Sequence, residues 1–145
     1  MEMQPEEAFV DLPDAIRDRV HKLCAEGLHC MAEKGNADDA IYAWEQAVYL
    51  LPDPREEWAI SCWLFSNIGE LYFKAGDYEA SDEFFRWAMV SPGGRTDPHI
   101  SLRLGQSCFH LEQHAEAMEY LLAARADNPE IFKDEDPVYA NFLEK

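Results

Sequence analysis

Base is what this chain has least of: 12 Lys and Arg stand against 29 Asp and Glu in 145 residues, a formal charge of −17. A surface of that sign repels nucleic acid and anionic lipid, so neither is expected as a partner. Long apolar runs are missing too. Nothing approaches the roughly 18 consecutive apolar residues that a bilayer crossing needs, so no membrane association is expected. The N-terminus, Met1-Glu2-Met3-Gln4-Pro5-Glu6-Glu7, is acidic where a secretory leader is basic, which makes a cytoplasmic location the expectation. The four cysteines (Cys24, Cys30, Cys62, Cys108) form no CxxC pair. They read as reduced, buried thiols rather than as disulfides or a zinc site. No Gly-x-Ser-x-Gly, phosphate-binding glycine loop or Cys–His signature occurs either. Hence no enzyme, no catalytic residue, no metal and no cofactor is expected.

What is present is hydrophobic content of 48%, enough for one domain with a real core. Apolar residues recur at helical spacing throughout, and no stretch alternates long enough for a strand. The spacing predicts helix pairs 13–34 with 37–50, 55–75 with 78–91, and 98–111 with 114–127, closed by a short helix at 137–143. Asp53-Pro54, Asp97-Pro98 and Asp136-Pro137 each read as an N-cap followed by proline in the first helical position. Gly35, Gly76 and Leu111-Glu112-Gln113 mark tight turns within the pairs. The extra length around Leu51 to Glu57 suggests that the third helix starts a turn or two early. The chain thus divides into an acidic N-terminal arm (1–12), a helical array (13–129; hairpins about 13–50, 55–91 and 98–127) and an acidic C-terminal cap (130–145). Residues 1–14 hold five acids and no base, and residues 127–145 hold six acids against two lysines. That concentration serves solubility, or steers a basic protein partner.

One segment recurs. Asn67-Ile68-Gly69-Glu70-Leu71-Tyr72-Phe73-Lys74-Ala75-Gly76-Asp77-Tyr78 is echoed by Arg103-Leu104-Gly105-Gln106-Ser107-Cys108-Phe109-His110-Leu111-Glu112-Gln113-His114, and more faintly by the stretch from Glu26 to Ala37. A fixed period of this length marks stacked helical hairpins. The second copy resembles the tetratricopeptide repeat in Ile68-Gly69, Tyr72, Gly76-Asp77-Tyr78, Ser81, Phe85 and Ala88. The third matches in Leu104-Gly105, Cys108, Ala117, Leu121, Ala124 and Asn128-Pro129. In the first copy Gly27-Leu28 inverts the usual pair, followed by Met31, Ala40, Trp44, Ala47 and Pro52. The resemblance implies an all-α fold of three helix–turn–helix hairpins in a right-handed superhelical array with a C-terminal capping helix.

It also implies protein binding along a concave face built from the first helix of each hairpin. Slot by slot, that groove comprises Glu26, His29 and Glu33 from the first hairpin. Trp63, Asn67, Glu70, Phe73 and Lys74 come from the second, and His99, Arg103, Gln106, Phe109 and His110 from the third. Each of the aromatics Trp63, Phe73 and Phe109 has two readings, as a partner anchor or as core. A subfamily with this fold grips chaperone tails through a carboxylate clamp of two lysines, an arginine and two asparagines. Here Asn67 and Arg103 match, but Ala25, His29 and His99 hold the other slots, so that ligand is not expected. Phe84 and Trp87 lie at slots that usually face solvent. They either pack against the N-terminal Phe9, Val10 and Leu12 or form a second interface, including a homodimer contact.

The small acidic format and the tail Glu130 to Tyr139 are similar to immunity proteins encoded beside bacterial toxins, which would make a basic toxin domain the partner. The rival expectation is a three-repeat secretion chaperone, or a scaffold adaptor, holding a peptide segment in the groove.

Overall fold

A computed structural model describes residues 6–145, Lys34 in its backbone only. Seven α-helices form, and no strand occurs among the described residues: α1 (Asp14–Lys34), α2 (Ala37–Leu50), α3 (Ser61–Lys74), α4 (Tyr78–Val90), α5 (Pro98–His110), α6 (His114–Asp127) and α7 (Pro137–Leu143). Their starts follow from local chemistry. Asn36 caps α2 by accepting from the Asp39 amide at 3.1 Å, and Asp77 caps α4 by accepting from the Ala80 amide at 3.1 Å. Asp97 and Asp136 do the same for α5 and α7, each ahead of a proline in the first turn. Within the hairpins the chain reverses through left-handed residues at Gly35, Gly76 and, unusually for a side chain of its size, Glu112 (φ 62°).

The third Asp-Pro pair behaves differently. Asp53-Pro54 does not open α3; Arg55–Glu57 makes an isolated 3-10 turn, and α3 begins only at Ser61. The early start of the third helix is therefore wrong. Leu51 and Ile60 are buried, and the Trp58 indole donates to the Pro52 carbonyl at 2.8 Å. The connection between the first two hairpins is thereby pinned into the core instead of extending a helix.

Helices pair as α1 with α2, α3 with α4 and α5 with α6, and the pairs stack through α2 on α3 and α4 on α5. Close approach within each pair needs a hole in one helix and a knob on the other. The knobs are Trp44, Phe85 and Leu121, all fully buried. The holes are Gly27, Gly69 and Gly105, where an added Cβ would come within 2.1, 2.9 and 2.6 Å of those side chains. Gly27 is thus the true counterpart of Gly69, and the inverted pair read from the sequence is one residue out of register. The cause is visible in the chain: eight positions separate Gly27 from the turn residue Gly35, whereas seven separate Gly69 from Gly76 and Gly105 from Glu112. Alignment from the turns carries this extra residue of α1 into every slot before it.

The N-terminal segment is no free arm in its described part. Phe9 and Leu12 are buried in the main core. Arg17 donates to the carbonyls of Phe9, Val10 and Leu12, and Asp11 accepts from the Ala59 amide at 2.9 Å. Residues 1–5 lie outside the described residues. At the other end Tyr139 joins Leu102, Leu121 and Ala124 in a second, smaller core. Between the hairpins, Arg86 of α4 links Asp82 (2.9 Å) to Glu116 of α6 (2.9 Å).

Candidate inner-face site

Three first helices, α1, α3 and α5, supply the residues that the repeat pattern assigns to the inner face. Their alignment on Gly27, Gly69 and Gly105 makes Trp63 and His99 equivalent, and likewise Glu70 with Gln106 and Phe73 with Phe109. The same register places His21, Leu28 and Met31 at these positions in α1. Glu26, His29 and Glu33 fall beside those slots, and all three are exposed.

At the centre stands Arg103. Its Nε and one terminal nitrogen donate to the two oxygens of Glu70, each at 2.8 Å, so the pair is bidentate. The other terminal nitrogen donates to Glu135 at 3.1 Å and to the Gln106 side-chain oxygen at 2.8 Å. Gln106 in turn donates to Glu135 at 2.6 Å. The guanidinium lies over the Phe73 ring, 4.3 Å from its centroid. His99 reaches the same Glu70 carboxylate at 3.1 Å. Burial by itself would push the Glu70 carboxyl up, but the hydrogen bonds and charges of Arg103 and His99 outweigh it and hold the group well below the usual carboxylate range. Lys74, 3.8 Å from Glu70, remains largely exposed.

Along α5 toward its C-terminus the face becomes aromatic. His110 stacks on Tyr78 with ring centroids 4.0 Å apart and meets the Tyr139 hydroxyl at 2.7 Å. Phe109 packs edge-on against Tyr139 and Phe142, at 5.5 and 5.2 Å. Burial lowers the affinity of His110 for a proton, with Asp136 opposing, and burial pushes the Tyr139 hydroxyl up to about 12.

The expected groove residues therefore separate. Glu70, Phe73, Arg103, Gln106, Phe109 and His110 do come together, yet they converge on this chain's own segment 135–142. Glu135 sits on the guanidinium, and Tyr139 and Phe142 sit on the aromatics. Trp63 is core, set edge-on against Trp44 at 5.6 Å and only 8% exposed. Asn67 turns its amide back to the Trp63 carbonyl at 2.7 Å. Sequence reading passed over the Glu135 and Tyr139 contacts because charge in a tail and an aromatic in a cap carry no periodic signal. Of the outer pair, Phe84 takes Phe65 and Tyr72 as ring partners and Trp87 takes Phe65, whereas Phe9 packs with His21. Among the described residues no cluster of His, Cys, Asp and Glu fits a metal ion, and no helix is long and apolar enough to cross a membrane.

The architecture is an array of three tetratricopeptide-like hairpins with a short C-terminal helix. Residues 64–88 match the tetratricopeptide repeat family. The chain is similar in structure to the Yersinia enterocolitica type III secretion chaperone SycD, solved in complex with a peptide of the translocator YopD. The TM-score is 0.67 at 17% identity, over 91% of this chain and 95% of that one. No curated protein matches the sequence.

Proposed function

We propose that the protein is a non-enzymatic binding module that holds a segment of another protein against its inner face, in the manner of a secretion chaperone. The observation that carries this reading is the likeness, over 91% of this chain, to a secretion chaperone solved with a peptide. The local geometry supports it. The third hairpin already accommodates a peptide of this chain, with a carboxylate on Arg103 and two aromatic rings on Phe109, which is the chemistry a peptide groove uses. The inner face free of that segment runs from α1 to α3, past the half-buried Leu28, Met31 and Asn67.

Site-specific photo-crosslinking in the native cell tests it. A cross-linker at Asn67 or His99 is expected to give one dominant protein adduct, and one at Glu119, exposed on α6, is expected to give none. A synthetic peptide covering the adducted segment is expected to bind the isolated protein, and Asn67→Lys is expected to weaken it about tenfold, the scale of one interface anchor. Equal adducts from all three positions would sink the proposal. The toxin-neutralising reading draws on the small acidic format and the tail Glu130 to Tyr139. It makes a separate demand on the same adduct: the captured partner must stop growth when expressed without this protein.

A further inference from the structure

The second helices carry a surface of a different kind. Tyr42, Tyr49 and Trp87 are 68, 61 and 45% exposed, a large aromatic display for a chain that buries Trp44, Phe9 and Phe85 completely. They are not scattered. A cleft of about 340 Å³ opens between Val48 and Tyr49 of α2 and Glu83, Phe84 and Trp87 of α4, floored by Phe65 and closed at one end by Asp53, Arg55 and Glu56. Tyr49 also walls a neighbouring recess of about 440 Å³ with Asp38, Ile41, Tyr42, Glu45 and Tyr72. Stacking fixes the floor. Phe65 stacks on Trp87 at 6.2 Å, Tyr72 stacks on Phe84 at 5.7 Å, and the Tyr72 hydroxyl is held by Glu45 at 3.1 Å. The two recesses share Tyr49 and meet at the stacked Tyr72 and Phe84; taken together they follow α2 from Asp38 to Tyr49, a trough about 17 Å long at about 1.5 Å per residue.

The rim says what the trough takes. Five carboxylates (Asp38, Glu45, Asp53, Glu56 and Glu83) line it, against the single guanidinium of Arg55, itself 3.5 Å from Asp53. A second copy of this chain would bring the same five carboxylates against these, in a protein of net charge −17, so a symmetric homodimer on this face is opposed by its own charge. Aromatic floor and acidic rim together suit apolar side chains flanked by Lys or Arg, whose cations reach the carboxylates or rest on the Tyr49 and Trp87 rings. We propose that this trough is a docking site, separate from the inner face, for a basic amphipathic segment of a partner protein.

The test uses the full chain and a labelled amphipathic peptide of lysine and leucine at helical spacing, about 12 residues long to match the trough. The control peptide has each lysine replaced by glutamate. Fluorescence anisotropy is expected to show saturable one-to-one binding of the basic peptide and none of the acidic one. Trp87→Ala and Tyr49→Ala are each expected to weaken binding about tenfold, as for interface anchors. Asp38→Lys with Glu83→Lys is expected to abolish it, while Asn67→Lys on the inner face leaves it unchanged. A single cooperative unfolding transition above the assay temperature in each variant establishes that the fold is retained. No binding, equal binding of both peptides, or binding that salt removes and the aromatic variants leave intact would each overturn the proposal. So would a concentration-dependent dimer in sedimentation that Trp87→Ala dissolves. Loss of the inner-face reading would leave this result untouched.

Discussion

Gly27→Ala is the substitution with the largest consequence per atom added. A methyl carbon at position 27 would lie 2.1 Å from Trp44 Nε1, 2.4 Å from Cε2 and 2.7 Å from Cδ1. Carbon atoms in ordinary contact stand about 3.5–4.0 Å apart, so the indole must retreat by roughly 1.5 Å. It has nowhere to go without loss, being fully buried and donating to the Cys24 carbonyl at 3.1 Å. Leaving the buried indole N–H without its acceptor costs about 1–3 kcal/mol. Overpacking the site costs about 1–3 kcal/mol more. Alanine returns about 0.5–1 kcal/mol of helix propensity. The net loss is then about 1–5.5 kcal/mol, centred near 3, a large part of a typical domain's stability of about 5–15 kcal/mol. Gly69→Ala meets only the Phe85 ring, at 2.9 Å, with no hydrogen bond at stake, and should cost about 1 kcal/mol or less after the propensity gain. Gly105→Ala falls between, since its methyl meets Leu121 at 2.6 Å and the Leu121 backbone nitrogen at 3.0 Å. Urea unfolding followed by circular dichroism and tryptophan fluorescence ranks the three. An alanine at 27 that matches or exceeds the parent in stability would refute the register, and would return Leu28 to the glycine slot.

Further outcomes follow from single groups. Glu70→Gln should destabilise the protein most at neutral pH: the folded carboxyl is depressed, so its contribution is whole above the unfolded value of about 4.3 and fades as pH falls through the folded value. Urea midpoints of parent and variant should therefore converge on acidification, and a widening gap would contradict the ion-pair account. His110, lowered by burial, should show an NMR ring titration with its midpoint below the unfolded value of about 6.5; the neutral ring's contribution is whole above that value and falls as pH drops beneath it. Tyr139→Ala removes a side chain that is 6% exposed and should release α7, seen as faster amide exchange over Pro137–Leu143 with α3 and α4 unchanged. Cys24, buried and with its thiol pushed up to about 12, should resist thiol reagents in the native state and be labelled at the rate of global unfolding.

The sequence made the helices legible because their signals are local. Asp97 and Asp136, each ahead of a proline, announced starts, Gly35 and Gly76 announced reversals, and the return of a small residue at Ala40, Ser81 and Ala117 announced repetition. What it hid lay in two places. The 51–60 connection carries helix-start signals, Asp53-Pro54 with Glu56, that lose to tertiary burial of Leu51 and Ile60. In α1 the inner-face positions lie one residue before those expected, because turns and glycine holes give different registers there, and only packing of Trp44 into Gly27 decides between them. Exposure of aromatics was harder still. Trp63 and Trp87 sit on amphipathic helices of similar pattern, yet one faces Trp44 and the other water. No single-helix pattern distinguishes the side that meets a neighbouring hairpin from the side that meets none.

The Arg103 cluster bears on the kind of partner each face can take. Of the two clamp slots that this sequence fills, Asn67 turns its amide to the Trp63 carbonyl, and Arg103 is held by two carboxylates of its own chain. A partner's terminal carboxylate arriving there would have to displace Glu135 and then share the guanidinium with Glu70. Both Arg103 and Glu70 are largely withdrawn from water, at 11 and 15% side-chain exposure. Displacing Glu70 as well would break that pair and leave a buried charge uncompensated, at a cost of about 3–5 kcal/mol. That cost exceeds what one new charged hydrogen bond returns, about 1.5–3 kcal/mol. Anionic ligands are thus disfavoured on the inner face by local geometry and at long range by net charge. That leaves apolar segments for the proposed inner-face site and cationic ones for the proposed outer trough.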